Sequence, residues 1–185
     1  MSDSSLYIVD GARLPQARAG GRLAQLSAGD LGTSVVKGIL ARTGIDPATI
    51  DEVVIGCVCQ PAEESNLARV ISLRSGIPQS VPARTVHRNC ASGFEAITQA
   101  AEKMAAGRGE IFLVGGVESM SQVPLLFPSS ASSKFGKLAK ARTLGNRLLA
   151  LTSFRSRDFK PVPALLKGLT DSTCDLGMEI GRAHV

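Results

Sequence analysis

The feature that most constrains this chain is an alternation of short apolar runs with helix-period segments. The runs lie at residues 6–9, 52–58, 83–87 and 111–114, and each reads as a strand. The second is rich in valine and isoleucine. The fourth is nearly all apolar, as expected for a strand buried on both faces. Between the first two, Ser27 is a good N-cap with Asp30 as a short capping box. Leu31, Val35, Ile39 and Leu40 then form an apolar stripe, and Gly44 stops the helix. Asp46-Pro47 opens a brief helical turn. A second helix, residues 66–75, carries Leu67, Val70, Ile71 and Leu73 and ends at Gly76; Pro78 and Pro82 bracket an extended linker. A third, residues 91–106, carries Phe94, Ile97, Ala101 and Met104 at steps of three and four and stops at Gly107. This order predicts an α/β fold, a mostly parallel sheet with helices on its faces. Its site should lie at the carboxyl ends of the strands.

Cys90 falls where the third strand turns into the third helix. Unpaired backbone N–H groups and the positive end of a helix dipole meet at such a place. A thiol there ionises more readily, and the thiolate is the nucleophile. Ala91, Ser92 and Gly93 are small enough for a substrate carbonyl to approach the backbone. Position alone leaves open the alternative of an ordinary buried cysteine.

Composition narrows the function classes. The chain has 185 residues, of which 44% are hydrophobic and 20% charged, enough for a globular unit with a real core. It contains no apolar run long enough to span a membrane, and residues 1–5 do not open a secretory signal. The four cysteines are Cys57, Cys59, Cys90 and Cys174. Cys57 and Cys59 would share one side of a strand, a poor spacing for a disulfide or a zinc site. We therefore expect a reducing cytoplasmic location and no metal centre. With no tryptophan and a single tyrosine, nucleic acid is not an expected partner.

The net charge of +5 is unevenly placed. After Ser121, Pro124, Pro128 and several serines break the strand pattern. Lys134, Lys137, Lys140, Arg142, Arg147, Arg155, Arg157, Lys160 and Lys167 follow against few acids, interleaved with Leu138, Leu144, Leu148, Leu149 and Leu151. One or two basic amphipathic helices are expected. They could be a solvated face over a leucine core, or a contact for the phosphates of coenzyme A, a membrane surface or a partner subunit.

Asn89-Cys90-Ala91-Ser92-Gly93-Phe94, followed by Gly115-Gly116-Val117-Glu118-Ser119-Met120-Ser121, closely resembles the acyl-cysteine region of the thiolase family. Tyr7-Ile8-Val9-Asp10-Gly11-Ala12-Arg13-Leu14-Pro15 and the Gly20-Gly21 pair resemble that family's opening strand and loop. The resemblance runs from about residue 5 to Met178. It implies an N-terminal α/β domain over residues 1–120 and an inserted helical loop domain, truncated, over residues 121–178. Phe159-Lys160-Pro161-Val162-Pro163 is most similar to thiolases of bacterial fatty-acid β-oxidation.

The implied activity is acyl transfer between 3-ketoacyl-CoA and coenzyme A, by thiolytic cleavage or its Claisen reverse. Cys90 carries the acyl group, coenzyme A is a substrate, and no cofactor is permanently bound. The family takes its activating histidine and a second, acid/base cysteine from a C-terminal half, and neither has a matching position here. His87 lies where the family usually has asparagine and receives no catalytic role; Cys57 and Cys174 do not sit in the second-cysteine motif. The resemblance further implies a homo-oligomer when full length and a β-oxidation multienzyme partner subunit. The alternatives are a ketoacyl-synthase-like condensing enzyme, or a non-catalytic module that binds acyl-CoA or a partner.

Residues 179–185, Glu179-Ile180-Gly181-Arg182-Ala183-His184-Val185, depart from the family pattern. They can be encoded by GAG ATC GGA AGA GCA CAC GTC, which resembles the start of a short-read sequencing adapter. The expectation is a non-native tail on an N-terminal piece that is inactive by itself.

Overall fold

The computed structural model describes residues 6–171 and 173–177, so the suspected tail at 179–185 lies outside the described residues. The chain divides into two compact units, Met1–Gln122 and Val123–Val185.

The first unit is built on a parallel three-stranded sheet of β1 (Glu52–Gly56), β2 (Ala83–Val86) and β3 (Phe112–Gly116), in the order β2-β1-β3. Register puts Gly56 beside Val86 on one side and Gly116 on the other, so all three carboxyl ends finish at one level. Strand β1 is central and buried at every residue. Its Val53 and Ile55 pack with Val36 of α1 (Ala28–Thr43) and with Leu67 and Ile71 of α2 (Leu67–Arg74) on one face. On the other face Val54 packs with Val86 and with Ala96 of α3 (Ser92–Ala105). Burying each of these strand side chains contributes about 1.5–3 kcal/mol.

The expected caps are present. The Ser27 hydroxyl accepts from the Asp30 amide at 3.0 Å, and the Asp30 carboxylate accepts from the Ser27 amide at 3.1 Å. Gly44 ends α1 at φ 65°, a conformation that costs glycine nothing. A carboxylate that periodicity could not single out also supports this helix start. Buried Glu64 accepts from the Ser27 hydroxyl, the Gly29 amide and the Arg74 guanidinium.

Three expectations need correction. Residues 6–9 are extended but join no ladder, and Tyr7, Ile8 and Val9 are 78%, 78% and 92% exposed. A strand needs a partner for its backbone, and this arm is instead tied to α1 by Arg42, which donates to Asp10 and to the Gly11 carbonyl. Second, β1 stops at Gly56, so Cys57 and Cys59 lie in a loop rather than on one side of a strand. Third, α3 buries Ser92, Ala96 and Ala100, whereas Phe94 is 69% exposed. Small side chains win that face because the helix lies almost on the sheet.

The second unit pairs β4 (Leu125–Leu126) antiparallel with β5 (Val162–Pro163). It also contains α4 (Ser129–Lys140), α5 (Leu144–Thr152) and α6 (Ala164–Gly168). Phe127, Phe135, Phe154 and Phe159 form its aromatic centre, with ring centroids 4.9–6.4 Å apart. Asp158 is fully buried and accepts from the Ser130 hydroxyl, the Lys134 ammonium and the Arg155 amide. Among the described residues, no helix is long and apolar enough to cross a membrane.

Candidate functional site

Cys90 lies between β2 and α3, at the carboxyl edge of the parallel sheet, and is exposed. The chain turns there within a few residues. Asn89 adopts φ 47°, a left-handed conformation that asparagine tolerates better than most residues. The Ala91 amide donates to the Arg88 carbonyl at 3.0 Å and the Ser92 amide to the Asn89 carbonyl at 3.1 Å. Ser92 locks the same turn from inside. Its hydroxyl accepts from the Arg88 amide at 2.8 Å and donates to the Asn89 carbonyl at 2.7 Å. Cys90 is therefore presented to solvent on a turn whose neighbours are fixed by four hydrogen bonds.

Beneath the turn are two glycines. A Cβ on Gly56 would come within 2.3 Å of the Ser92 carbonyl carbon, and one on Gly116 within 3.0 Å of the Gly93 Cα. Any side chain at Gly56 would push the first turn of α3, and Cys90 with it, off the sheet. Outside the turn, Arg88 pairs with Glu95 at 2.6 Å. The Arg88 guanidinium, helped by the Gln99 amide, holds the Glu95 carboxyl below its usual range.

The segment that leaves β3 is a junction. The Glu118 carboxylate accepts from the Val58 amide at 2.9 Å and the Cys59 amide at 3.1 Å, and Cys57 Sγ lies 3.6 Å from it. These bonds take the amides that a longer β1 would have used, which is why the strand ends early. The Ser119 hydroxyl donates to the Leu26 carbonyl, and Ser121 Oγ accepts from the Gly20 amide. Burial, with the Glu118 charge and hydrogen bond beside it, pushes the Cys57 thiol up to about 12, so it stays protonated. Burial likewise raises the Cys59 thiol, reinforced by Glu118.

Other residues weighed from the sequence stand apart. His87 is exposed and only receives a long, 3.5 Å contact from the Asn89 amide on Nδ1. Cys174 is an exposed free thiol in the second unit. The described residues include no His, Cys, Asp or Glu group able to hold a metal ion. A cavity of about 700 Å³ in the first unit opens between Arg13 and Pro15, Val35 and Ile39 of α1, and Leu113 of β3, and it reaches Gly116, Glu118 and Ser119 on the segment that leaves β3. Cys90 is not among its walls. Sequence reasoning valued Ser92 only for its size and gave Gly56 and Glu118 no role. Glu118 stood in the Gly115–Met120 run and Ser92 in the Asn89–Phe94 run, whereas nothing in the sequence pattern singled out Gly56.

Comparison with known proteins adds a family to this geometry. The family described as "Thiolase, N-terminal domain" matches residues 6–153. A 3-ketoacyl-CoA thiolase of Vibrio cholerae is 38% identical over 162 residues, covering 88% of this chain and 37% of that protein. An acetyl-CoA acetyltransferase of Allochromatium vinosum is 42% identical over 128 residues, covering 69% of this chain and 32% of that protein. The crystal structure of human mitochondrial 3-ketoacyl-CoA thiolase in complex with CoA superposes with a TM-score of 0.71 at 30% identity. It covers 92% of this chain and 39% of the human one. The chain thus spans about a third to two-fifths of the length of the relatives it matches.

Proposed function

This chain belongs to the thiolase family, of which it carries the N-terminal domain, and on that premise we propose that the whole protein is a 3-ketoacyl-CoA thiolase with Cys90 as its acyl-accepting nucleophile. The observation that carries this reading is the exposed Cys90 on a turn locked by Ser92, at the carboxyl edge of the sheet. The Cys90 thiolate attacks the keto carbon of a 3-ketoacyl-CoA. The bond between that carbon and the α-carbon breaks, and its electron pair leaves on acetyl-CoA as the enolate. Protonation of the enolate at the α-carbon releases acetyl-CoA and leaves the shortened acyl group as a Cys90 thioester. A coenzyme A thiolate then attacks the thioester carbonyl and regenerates the Cys90 thiolate. Coenzyme A is a substrate, and the scheme needs no permanently bound cofactor.

Activation of the nucleophile and protonation of the enolate fall to a histidine and a second cysteine, which the family resemblance places beyond these 185 residues. The chain alone should therefore lack turnover, since each such group is worth roughly 10²–10⁴-fold. The basic residues of the second unit, Lys137, Lys140 and Arg147 among them, supply phosphate contacts for coenzyme A. We place the protein in cytoplasmic fatty-acid β-oxidation, as a homo-oligomer with a multienzyme partner subunit. The free thiols of Cys57, Cys59, Cys90 and Cys174 suit that reducing compartment.

The test is loss of the magnesium–enolate absorbance of acetoacetyl-CoA on adding coenzyme A, measured on the complete open reading frame. Turnover is expected there and is lost in Cys90→Ser and in the 185-residue chain. Full turnover by Cys90→Ser would remove the assignment. Condensation of a malonyl thioester with CO₂ release, in place of thiolysis, would favour the ketoacyl-synthase reading. Coenzyme A binding with neither reaction would favour a binding module.

A further inference from the structure

Glu118, on the segment that leaves the carboxyl end of β3, is an acidic side chain whose bonding the proposed chemistry leaves unused. Its carboxylate gathers two consecutive amides, Val58 at 2.9 Å and Cys59 at 3.1 Å, and stands 3.6 Å from the Cys57 thiol. Bonds to an ionised acceptor are about twice as strong as neutral ones. The loop they hold reaches the nucleophile's turn by two routes. The Cys57 amide donates to the carbonyl of Val86, the last residue of β2, at 3.1 Å. Gly56, the residue before Cys57, is the glycine pressed under Ser92. On the side of β3, the Val117 amide donates to the Gly56 carbonyl at 3.0 Å, so the residue next to Glu118 grips the same point.

From these contacts we propose that Glu118 is a positioning residue for Cys90. By pinning the loop after β1 to the segment after β3, it fixes the floor on which the Ser92 turn and the start of α3 rest. The inference rests on the reading of Cys90 as the acyl acceptor, but what it asserts is a structural coupling between Glu118 and Cys90 reactivity. The Cys57 thiol fits this role because it remains a protonated donor beside the carboxylate.

The experiment measures the iodoacetamide alkylation rate of each cysteine, by peptide mapping across a pH series, in the full 185-residue chain. Glu118→Ala, Glu118→Gln and the control Glu110→Gln, an exposed carboxylate just before β3, are compared with the parent. Small misplacements of a reacting group change rates by up to about 10²-fold. The expected result is a change of about tenfold in the Cys90 rate, with a displaced pH midpoint, in Glu118→Ala. Glu118→Gln keeps one acceptor oxygen and should recover part of that change, and the Glu110→Gln control should be silent. If Cys59 labelling rises while the Cys90 rate and midpoint stay at parental values, Glu118 holds only its own loop and the proposal fails. Should Glu118→Ala not fold by circular dichroism, the near-isosteric Glu118→Gln decides by the same criteria. Turnover by Cys90→Ser would remove the acyl-acceptor reading, whereas an unmoved Cys90 rate removes only the coupling.

Discussion

Cys90 was legible in the sequence because a cysteine between a short strand and a helix is a local pattern. Ser92 was not, because its work is done by a hydroxyl folded back on residues three and four earlier. Ser92→Ala removes the acceptor of the Arg88 amide and the donor to the Asn89 carbonyl, part-buried bonds each worth about 0.5–1.5 kcal/mol. We expect a lower urea midpoint at unchanged slope, together with slower alkylation of Cys90. A parental Cys90 rate in a clearly destabilised Ser92→Ala protein would mean that the turn is held by its backbone bonds alone.

At the scale of elements, the parallel α/β alternation was readable, since each helix of the first unit carried its period and a glycine stop, Gly44, Gly76 or Gly107. The face that α3 buries was not. Periodicity favoured Phe94, Ile97, Ala101 and Met104, but the glycines at the strand ends bring the helix so close that Ser92, Ala96 and Ala100 take the buried face. Two alanine substitutions separate these causes. Gly56→Ala collides with backbone and should cost about 1–3 kcal/mol by urea denaturation. Gly38→Ala, in the middle of α1 with nothing within 4 Å of the new methyl, should stabilise by about 0.5–1 kcal/mol. If both shift the midpoint alike, close approach is not what distinguishes Gly56.

In the second unit, the Lys134 ammonium, then the Arg155 amide and the Ser130 hydroxyl, hold the Asp158 carboxyl down to about 2, against 3.8 when free. A folded-state value below the unfolded one stabilises fully above the unfolded value and is lost as pH falls through the folded one. The aromatic near-ultraviolet circular dichroism should therefore fade between about pH 4 and pH 2. In Asp158→Asn that acid-dependent step should vanish, with weaker packing already evident at neutral pH. An unchanged acid profile in Asp158→Asn would show that other carboxylates govern the transition.

On the scale of the whole molecule, each unit leaves large apolar side chains in water. In the first these include Tyr7, Ile8, Val9 and Phe94; in the second, Leu144, Leu148 and Leu149. The chain spans about a third to two-fifths of its relatives' length, and we expect the complete protein to cover much of this surface. The 185-residue chain should bind a hydrophobic dye more strongly than the complete protein, and equal binding would count against that expectation. Between residues 123 and 170 the basic side chains face Asp158 as the one acid. If they hold phosphates, Lys137→Glu with Lys140→Glu and Arg147→Glu should weaken coenzyme A binding most at low salt. Affinity that neither falls nor loses its salt dependence would leave the segment a solvated face.

By itself the sequence determined the three helices of the first unit and the order of its three paired strands, because caps, glycine stops and apolar periods act within a few residues of one another. Strands β4 and β5 of the second unit, by contrast, lay in a stretch that read as breaking the strand pattern. The sequence also placed Cys90, the nucleophile we propose, between a strand and a helix, because that junction is defined by local pattern. The tertiary structure alone decided which groups meet across the sheet edge. Glu118 reaches Val58 and Cys59 across about sixty residues, and Gly56 lies under Ser92, only because three parallel strands end at one level. Residues 6–9 carried a strand's pattern and form none, since a ladder is made by two backbones and no single stretch of sequence contains its partner.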